Sequence, residues 1–342
     1  MKKNNIIYIG NKLSSHGFTP TNIETLGPLL EKEGYNIIYA SNKKHSISRI
    51  FDMFFTIIKN RRKTGLVIID TYSTSAFYFA LICSQCALYC KIPFVPILHG
   101  GNLPYRLKNS PKMTKMIFGN SSTNVVVSGY LAESMKQYGY KYKLIPNNID
   151  IGVYPFKLRK KIEPKILWVR SFHKIYNPEL AIFVMEKVIK VFPNAELAMV
   201  GPDKDGSLDN CKKLTKDLGI SQNVVFTGRL KKEEWFELSK TYDIFINTTN
   251  FDNLPVSVLE ALALGFPVIS TNVGGIPFLL ENNYNGILIN PNDIEAMVTA
   301  MLLLLNDENI VEKLSLNARA TAESFDWKII RTKWIELVSS ID

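Results

Sequence analysis

Residues 249–277 read TNFDNLPVSVLEALALGFPVISTNVGGIP. Two acids, Asp252 and Glu260, stand eight positions apart, and Glu260 is set among valines, leucines and alanines. A carboxylate buried without a partner is costly, so Glu260 needs a donor or the edge of a cleft. One solution is a structural ion pair with an Arg or Lys elsewhere in the chain. The other is a ligand rich in hydroxyl groups, from which a carboxylate accepts hydrogen bonds. Asp252-Asn253-Leu254-Pro255 has turn composition, and proline suits the first helical position because its missing N–H has no partner there. A helix then runs through VSVLEALAL, with Val256, Leu259, Glu260 and Ala263 on one face, and ends at Gly265 and Pro267. Its N-terminus offers free N–H groups and a partial positive charge, which suit a phosphate.

Other groups fall at matching places. Asn272-Val273-Gly274-Gly275-Ile276-Pro277 is a glycine turn after an apolar run, and Arg170 follows the run KILWV with Lys174 close behind. Together they describe a pocket for a diphosphate joined to a polyhydroxyl group, with cations on the phosphates and carboxylates on the hydroxyls. In the first half, ILHGGNLP (97–104) puts His99 at a strand end with two glycines behind it; a structural role and a site role are both open there.

The elements that must position these residues are legible from periodicity. Strand-length apolar runs at 6–10, 36–40, 66–70, 93–99, 124–128 and 143–146 alternate with helical stretches such as 22–34. A second series at 165–169, 196–201, 223–228, 243–247, 267–271 and 286–290 alternates with helices near 178–191, 208–218, 232–241 and 256–264. This predicts an α/β chain of two doubly wound parallel sheets. The expected division is a first domain over 1–150, a linker over 151–164 rich in Pro, Asn and Lys, and a second domain over 165–322. The final segment, 323–342, is expected to be a helix packing back on the first domain. Open α/β sheets bind ligands at the carboxyl ends of their strands, so a cleft between the domains is the expected site.

The chain has 342 residues, more than one hydrophobic core comfortably serves. Hydrophobic residues make up 46% and charged residues 21%, which argues against disorder. The net charge of +10 is uneven: residues 1–160 hold 22 Lys and Arg against 7 Asp and Glu. That excess fits an anionic partner such as a membrane surface, nucleic acid or phosphorylated lipid, or a solvated lysine-rich surface. Met-Lys-Lys-Asn-Asn leads straight into IIYIG, too short a run for a secretory h-region, so a cytoplasmic location is expected. The uncharged stretch 71–90 reads as a buried crossover helix rather than a membrane span, because Thr, Ser and Gln interrupt it. Cys83, Cys86 and Cys90 share a helical face with no fourth ligand, and packed free thiols are the expectation.

Several chemistries are excluded. GNKLSSHG after the first strand is not GxGxxG, GxxxxGK[ST] is missing, and neither HExxH nor zinc-type Cys/His spacing occurs. No cofactor and no metal are expected.

Asp252-x7-Glu260 followed by ALALGFPVISTNVGGIP resembles the E-x7-E signature of the retaining glycosyltransferases of family 4. WVRSFHKIYNPELAI (168–182) is similar to the family's G-R-x-x-x-x-K segment, and MVGPD, VVFTG, IPNNID and the last helix fall where the family has counterparts. The resemblance implies the GT-B fold, two Rossmann-like domains facing a central cleft. It implies that Glu260 binds the ribose hydroxyls of a nucleotide sugar and that Asp252 stands near the transferred sugar. Arg170 would hold the diphosphate, with Asn253 and Leu254 offering backbone N–H groups. His99 resembles a family histidine close to the transferred sugar, and Gly17 a glycine that approaches the diphosphate. The chain departs from the pattern in three places. The first acid is Asp, Val169 replaces the glycine before Arg170, and the family's lysine position holds Ile175, leaving Lys174 as a displaced substitute.

The implied activity is transfer of a sugar from a UDP- or GDP-sugar to an acceptor hydroxyl, with retention and without a metal. The acceptor would be a lipid-linked or growing cell-surface glycan, as in polysaccharide or lipopolysaccharide biosynthesis, met at the inner face of the membrane through the basic first domain. A nucleotide-sugar 2-epimerase of the same fold is the alternative enzyme. A non-catalytic basic protein binding membrane or nucleic acid is the alternative of another class, although no RNA-type aromatic motif supports nucleic acid as a partner.

Overall fold

The computed structural model describes residues 4–341 apart from Thr19; the opening Met1-Lys2-Lys3 lies outside the described residues. The chain divides into two compact units, Met1–Asn147 with Ile330–Asp342, and Asn148–Ile329.

The first unit holds strands β1 (Asn5–Ile9), β2 (Asn36–Ala40), β3 (Leu66–Thr71), β4 (Phe94–Leu98), β5 (Asn124–Val126) and β6 (Tyr142–Leu144). All pair in parallel in the order β2-β1-β3-β4-β5-β6, with Ile6 opposite Ile37 and Leu66. Between them run α1 (Asn22–Lys32), α2 (Ser46–Asn60), α3 (Ala76–Tyr89), α4 (Leu103–Asn109), α5 (Pro111–Phe118) and α6 (Gly129–Gln137). The near-continuous apolar runs are those of strands buried on both faces: Ile6 through Ile9 and Leu66 through Ile69 are all buried. The sheet order reverses between β1 and β3, the switch point at which such sheets open a crevice.

The second unit holds β7 (Lys165–Val169), β8 (Glu196–Val200), β9 (Val224–Gly228), β10 (Ile244–Asn247), β11 (Val268–Thr271) and β12 (Ile287–Ile289). Its order, β12-β11-β10-β7-β8-β9, is again parallel throughout and reverses between β7 and β10. The helices are α7 (Pro178–Val188), α8 (Ser207–Asp217), α9 (Lys232–Ser239), α10 (Val256–Ala263), α11 (Ile294–Asn306) and α12 (Glu308–Glu323); α13 (Trp327–Ser339) closes the chain. Residues alternate across β7: Ile166 and Trp168 enter a core with α7 and α11, while Leu167 enters another with α10. The fold is two Rossmann-like doubly wound sheets, as the α/β alternation requires.

Two differences from the sequence reading have clear causes. Residues 148–164 have linker composition, yet they pack into the second unit. Arg159 is 2% exposed; its guanidinium lies 3.5 Å from the centre of the Phe266 ring and donates to the carbonyls of Leu264, Ser239 and Tyr242 at 2.8–3.1 Å. Pro255 sits one residue before α10, in extended conformation at the N-cap rather than inside the first turn. Within the stretch 71–90, Ala76–Tyr89 form the 14-residue crossover helix α3, and no helix among the described residues is long and apolar enough to cross a membrane. All four cysteines are free; burial pushes the Cys86 and Cys211 thiols up to about 12. No cluster of His, Cys, Asp and Glu able to hold a metal occurs among the described residues.

Candidate functional site

Arg170 leaves the carboxyl end of β7 and Asp252 the loop after β10, so both stand at the switch point of the second sheet. The guanidinium of Arg170 pairs with the Asp252 carboxylate and lies 4.3 Å from the centre of the Tyr176 ring. Burial pushes the Arg170 pKa down, and the neighbouring Tyr176 opposes that shift. The strand ends are stitched together by hydroxyls. Trp168 Nε1 donates to Thr248 Oγ1 at 2.9 Å, Thr248 donates to the Tyr176 carbonyl at 2.8 Å, and Thr271 donates to the Thr249 carbonyl. These bonds hold the 174–176 turn against the β10 loop and so fix where Arg170 can point.

The glycine turn after β11 is built against that loop. Gly275 N–H donates to the Asp252 carbonyl at 2.8 Å. A Cβ on Gly275 would lie 1.5 Å from the Asn253 carbonyl oxygen, and one on Gly274, at φ +55°, 2.1 Å from that of Asp252. No side chain fits there, which is why the turn needs both glycines. The Asn253 N–H donates to its neighbour's Oδ1 at 2.8 Å, so it is held by Asp252 in this structure. Leu254 is half-buried against the core that holds α10.

Helix α10 has no internal Gly or Pro and buries Val258, Leu259 and Leu262, each worth about 1.5–3 kcal/mol of removed apolar surface. It ends at Gly265 (φ +79°), with Phe266 N–H returning to the Ala261 carbonyl. On this frame Glu260 is half-buried, and its Oε1 accepts from Tyr154 Oη at 2.9 Å and faces Lys232 Nζ at 3.1 Å. Lys232 also donates to the Tyr154 hydroxyl and lies 4.4 Å from the centre of its ring. Burial, and then the charge of Glu260, pushes the Tyr154 pKa well above its ordinary value. The ion-pair solution for Glu260 is thus realised here, by a lysine at the start of α9.

Lys174 is exposed, and it is its backbone N–H that makes a contact, with Asp205 Oδ2 at 3.0 Å. The two remaining candidates lie in the first unit. His99 follows β4; its Nε2 stands 2.9 Å from Asp70 Oδ1, and its ring stacks on Tyr72 with centroids 5.2 Å apart. Asp70 also accepts from Tyr8 Oη at 3.1 Å and from the Ile23 N–H at 3.2 Å. Gly10 lies so close that a Cβ would meet Asp70 Oδ2 at 2.7 Å. Gly17 ends the short turn Ser14–His16 at φ +83°, exposed and with open space beside it.

The second unit therefore brings Arg170, Asp252 and Asn253 into one cluster and holds Glu260 in a second, with Lys174 on an exposed turn. Tyr176 completes the first of these clusters, Tyr154 and Lys232 the second, and Asp70 stands with His99 in the first unit; none of the four was singled out from sequence. Asp70 had a readable signal, a lone carboxylate ending the apolar run LVII. So did Lys232, a cation in the first turn of a helix, where the helix dipole disfavours it.

Residues 152–321 match the profile of the family "Glycosyl transferases group 1". The sulfoquinovosyl transferase of Arabidopsis thaliana is 31% identical over 158 residues, which are 45% of this chain and 30% of that protein. A UDP-Gal:alpha-D-GlcNAc-diphosphoundecaprenol alpha-1,3-galactosyltransferase of Escherichia coli is 26% identical over 196 residues, 52% of this chain and 49% of that one. The chain spans half the length or less of these curated relatives. The crystal structure of Anabaena HepE in complex with UDP and glucose superposes with a TM-score of 0.77, at 17% identity, over 99% of this chain and 100% of that one. The fold is accordingly that of GT-B glycosyltransferase structures. Through its residues 152–321, the chain belongs to the group 1 glycosyl transferases.

Proposed function

We propose that this protein is a retaining glycosyltransferase that moves a sugar from a nucleotide-diphosphate sugar to an acceptor hydroxyl. The observation that carries this reading is the joint placement of Arg170, Asp252 and the Gly274-Gly275 turn at the switch point between β7 and β10, with Glu260 on the helix that leaves it. The family of residues 152–321 supports it, as do the UDP named with HepE and the UDP-sugar named with the E. coli relative.

In this reading the donor diphosphate takes the place of the Asp252 carboxylate on Arg170. Asp252, released, turns to a hydroxyl of the transferred sugar, and the Asn253 and Leu254 N–H groups lie near the sugar and phosphates. The N-terminal amides of α10 face the phosphates, and Glu260 accepts from the ribose hydroxyls. The bond from the anomeric carbon to the diphosphate oxygen breaks while a bond to the acceptor oxygen forms on the same face. The departing diphosphate takes the acceptor's proton. Negative charge gathering on the diphosphate is met by Arg170 and the amides, already aligned, so no metal is assigned a role. Within the first unit, Asp70 holds the His99 ring in a fixed orientation.

The acceptor in this reading is a lipid-linked or growing cell-surface glycan, reached at the inner face of the membrane by the basic first unit. The galactosyltransferase relative, whose name carries a diphosphoundecaprenol acceptor, supports that class. A thermal-shift panel of UDP-, GDP-, ADP- and CMP-sugars tests the donor, because a bound ligand raises the melting temperature by mass action. The expected result is a shift with UDP- or GDP-sugars that inorganic diphosphate matches only weakly. No shift with any nucleotide sugar contradicts the reading, and isomerisation of the donor without acceptor would replace it with epimerisation.

A further inference from the structure

Helix α2 buries Arg49, Met53 and Ile57 along one stripe and turns another stripe entirely to water. Ile47, Phe51 and Phe55 are 74%, 56% and 60% exposed, at i, i+4 and i+8, and the two phenylalanine rings stack on each other with centroids 6.3 Å apart. Lys59 extends the same line, and Arg61, Arg62 and Lys63 follow at the helix end, all exposed. Among the described residues nothing else in the unit covers this stripe, although it is the kind of surface a fold ordinarily buries.

The stripe continues sideways. Helix α3 packs on both α2 and α5, and Gln85 Nε2 donates to the Met116 carbonyl at 3.0 Å, which ties α3 to α5. These helices add Ile82 and Met116 to the apolar surface, 40% and 41% exposed, and Lys112 and Lys115 to its rim. Over residues 41–132 the sequence holds twelve Lys and Arg against two acids, Asp52 and the buried Asp70.

We propose that the α2–α3–α5 face docks on an anionic lipid bilayer, with Ile47, Phe51 and Phe55 entering the interface and the flanking cations meeting the headgroups. An exposed apolar stripe bordered by lysine and arginine is the pattern of a helix lying in the plane of a membrane surface. The charge imbalance selects anionic over neutral lipid. Single-stranded nucleic acid fits less well, because the rings stack on each other instead of offering their faces along a groove. The proposal gives the membrane part of the proposed function a definite surface, and it rests on that reading for its biological purpose, although its geometry involves no residue of the donor site.

Co-sedimentation tests it, with vesicles of phosphatidylcholine alone and of phosphatidylcholine mixed with phosphatidylglycerol, at low and high salt. The full chain should sediment with the anionic vesicles at low salt and not with the neutral ones. Phe51→Ser with Phe55→Ser should weaken binding about tenfold or more by removing the inserted groups. Lys59→Glu with Arg62→Glu, which leaves the apolar stripe intact, should weaken it at least as much and reduce its salt dependence. Calorimetric binding of UDP or GDP by the same variants should be unchanged, so a failed donor site and a failed membrane surface give different results. Absence of wild-type binding, or sedimentation of both variants like wild type, overturns the proposal. So does a wild-type dimer by light scattering that the phenylalanine variant converts to monomer, since the face would then belong to a second copy.

Discussion

Arg170 and Asp252 neutralise each other across neighbouring strand ends, the guanidinium paired with the carboxylate and lying over the Tyr176 ring. A buried cation without a counter-charge is costly, and Asp252 supplies that counter-charge to Arg170. In the proposed reading, a donor diphosphate has to compete with that carboxylate for Arg170.

That competition predicts a split between two ligands. Asp252→Asn should bind UDP or GDP without sugar as tightly as wild type or tighter, since the competing charge is gone. It should transfer sugar poorly, because the contact to the sugar hydroxyl is lost. The variant should also melt lower when empty, by a few degrees for a loss of about 1–2 kcal/mol. Calorimetry with the nucleoside diphosphate, beside a transfer assay, checks it; a fall in both together contradicts the competition.

The glycine turn gives a purely steric prediction. Gly275→Ala puts a methyl group where the Asn253 carbonyl oxygen already is, so the turn and the 252–253 loop must separate. Overpacking of this kind costs about 1–3 kcal/mol. Donor binding should fall with it, because Arg170 and Asp252 are positioned by the same loop. Urea unfolding measures the first effect; stability within error of wild type would show that the turn yields freely.

Strands, helices and the two-unit division were legible because buried strands and amphipathic helices write their period into the sequence. Asp252, Glu260 and the Gly274-Gly275 turn were legible because they lie within one local stretch. The partners of Glu260 were not. Tyr154 is 106 positions away, in a segment whose Pro, Asn and Lys content reads as linker, and only the fold brings it to α10. Arg159 hid for the same reason: a lysine- and arginine-rich run looks solvated, and nothing local reveals that one of its members is buried.

Arg159 anchors that segment, and its planar fork matches three separate carbonyl groups. Arg159→Lys cannot reach all three, so it should be nearly as damaging as Arg159→Met, each losing about 3 kcal/mol through unsatisfied buried carbonyls. Chemical denaturation of the three proteins decides it; rescue by lysine would show that charge matters here rather than geometry.

Asp205 holds the turn that carries Lys174. The Lys174 N–H and the Ser207 hydroxyl bind its carboxylate and lower its pKa below the usual aspartate value. A depressed folded pKa contributes stability that is present above the unfolded value of about 3.9 and lost as pH falls through the lower folded value. The Lys174 turn should therefore keep its order at pH 5 and loosen only below the ordinary aspartate range. Carboxyl NMR titration reads the midpoint directly, and a midpoint at or above the ordinary value contradicts the assigned contacts.

In the proposed function Glu260, which Tyr154 and Lys232 hold in this structure, takes the ribose of the donor. Calorimetry on wild type, Glu260→Gln and Glu260→Ala, with UDP or GDP and separately with inorganic diphosphate, tests it most directly. Both substitutions should weaken binding of the nucleoside diphosphate by about tenfold or more, and leave inorganic diphosphate, which has no ribose, unchanged. Equal affinity of wild type and Glu260→Ala for the nucleoside diphosphate would contradict it and leave Glu260 as a structural ion-pair partner of Lys232.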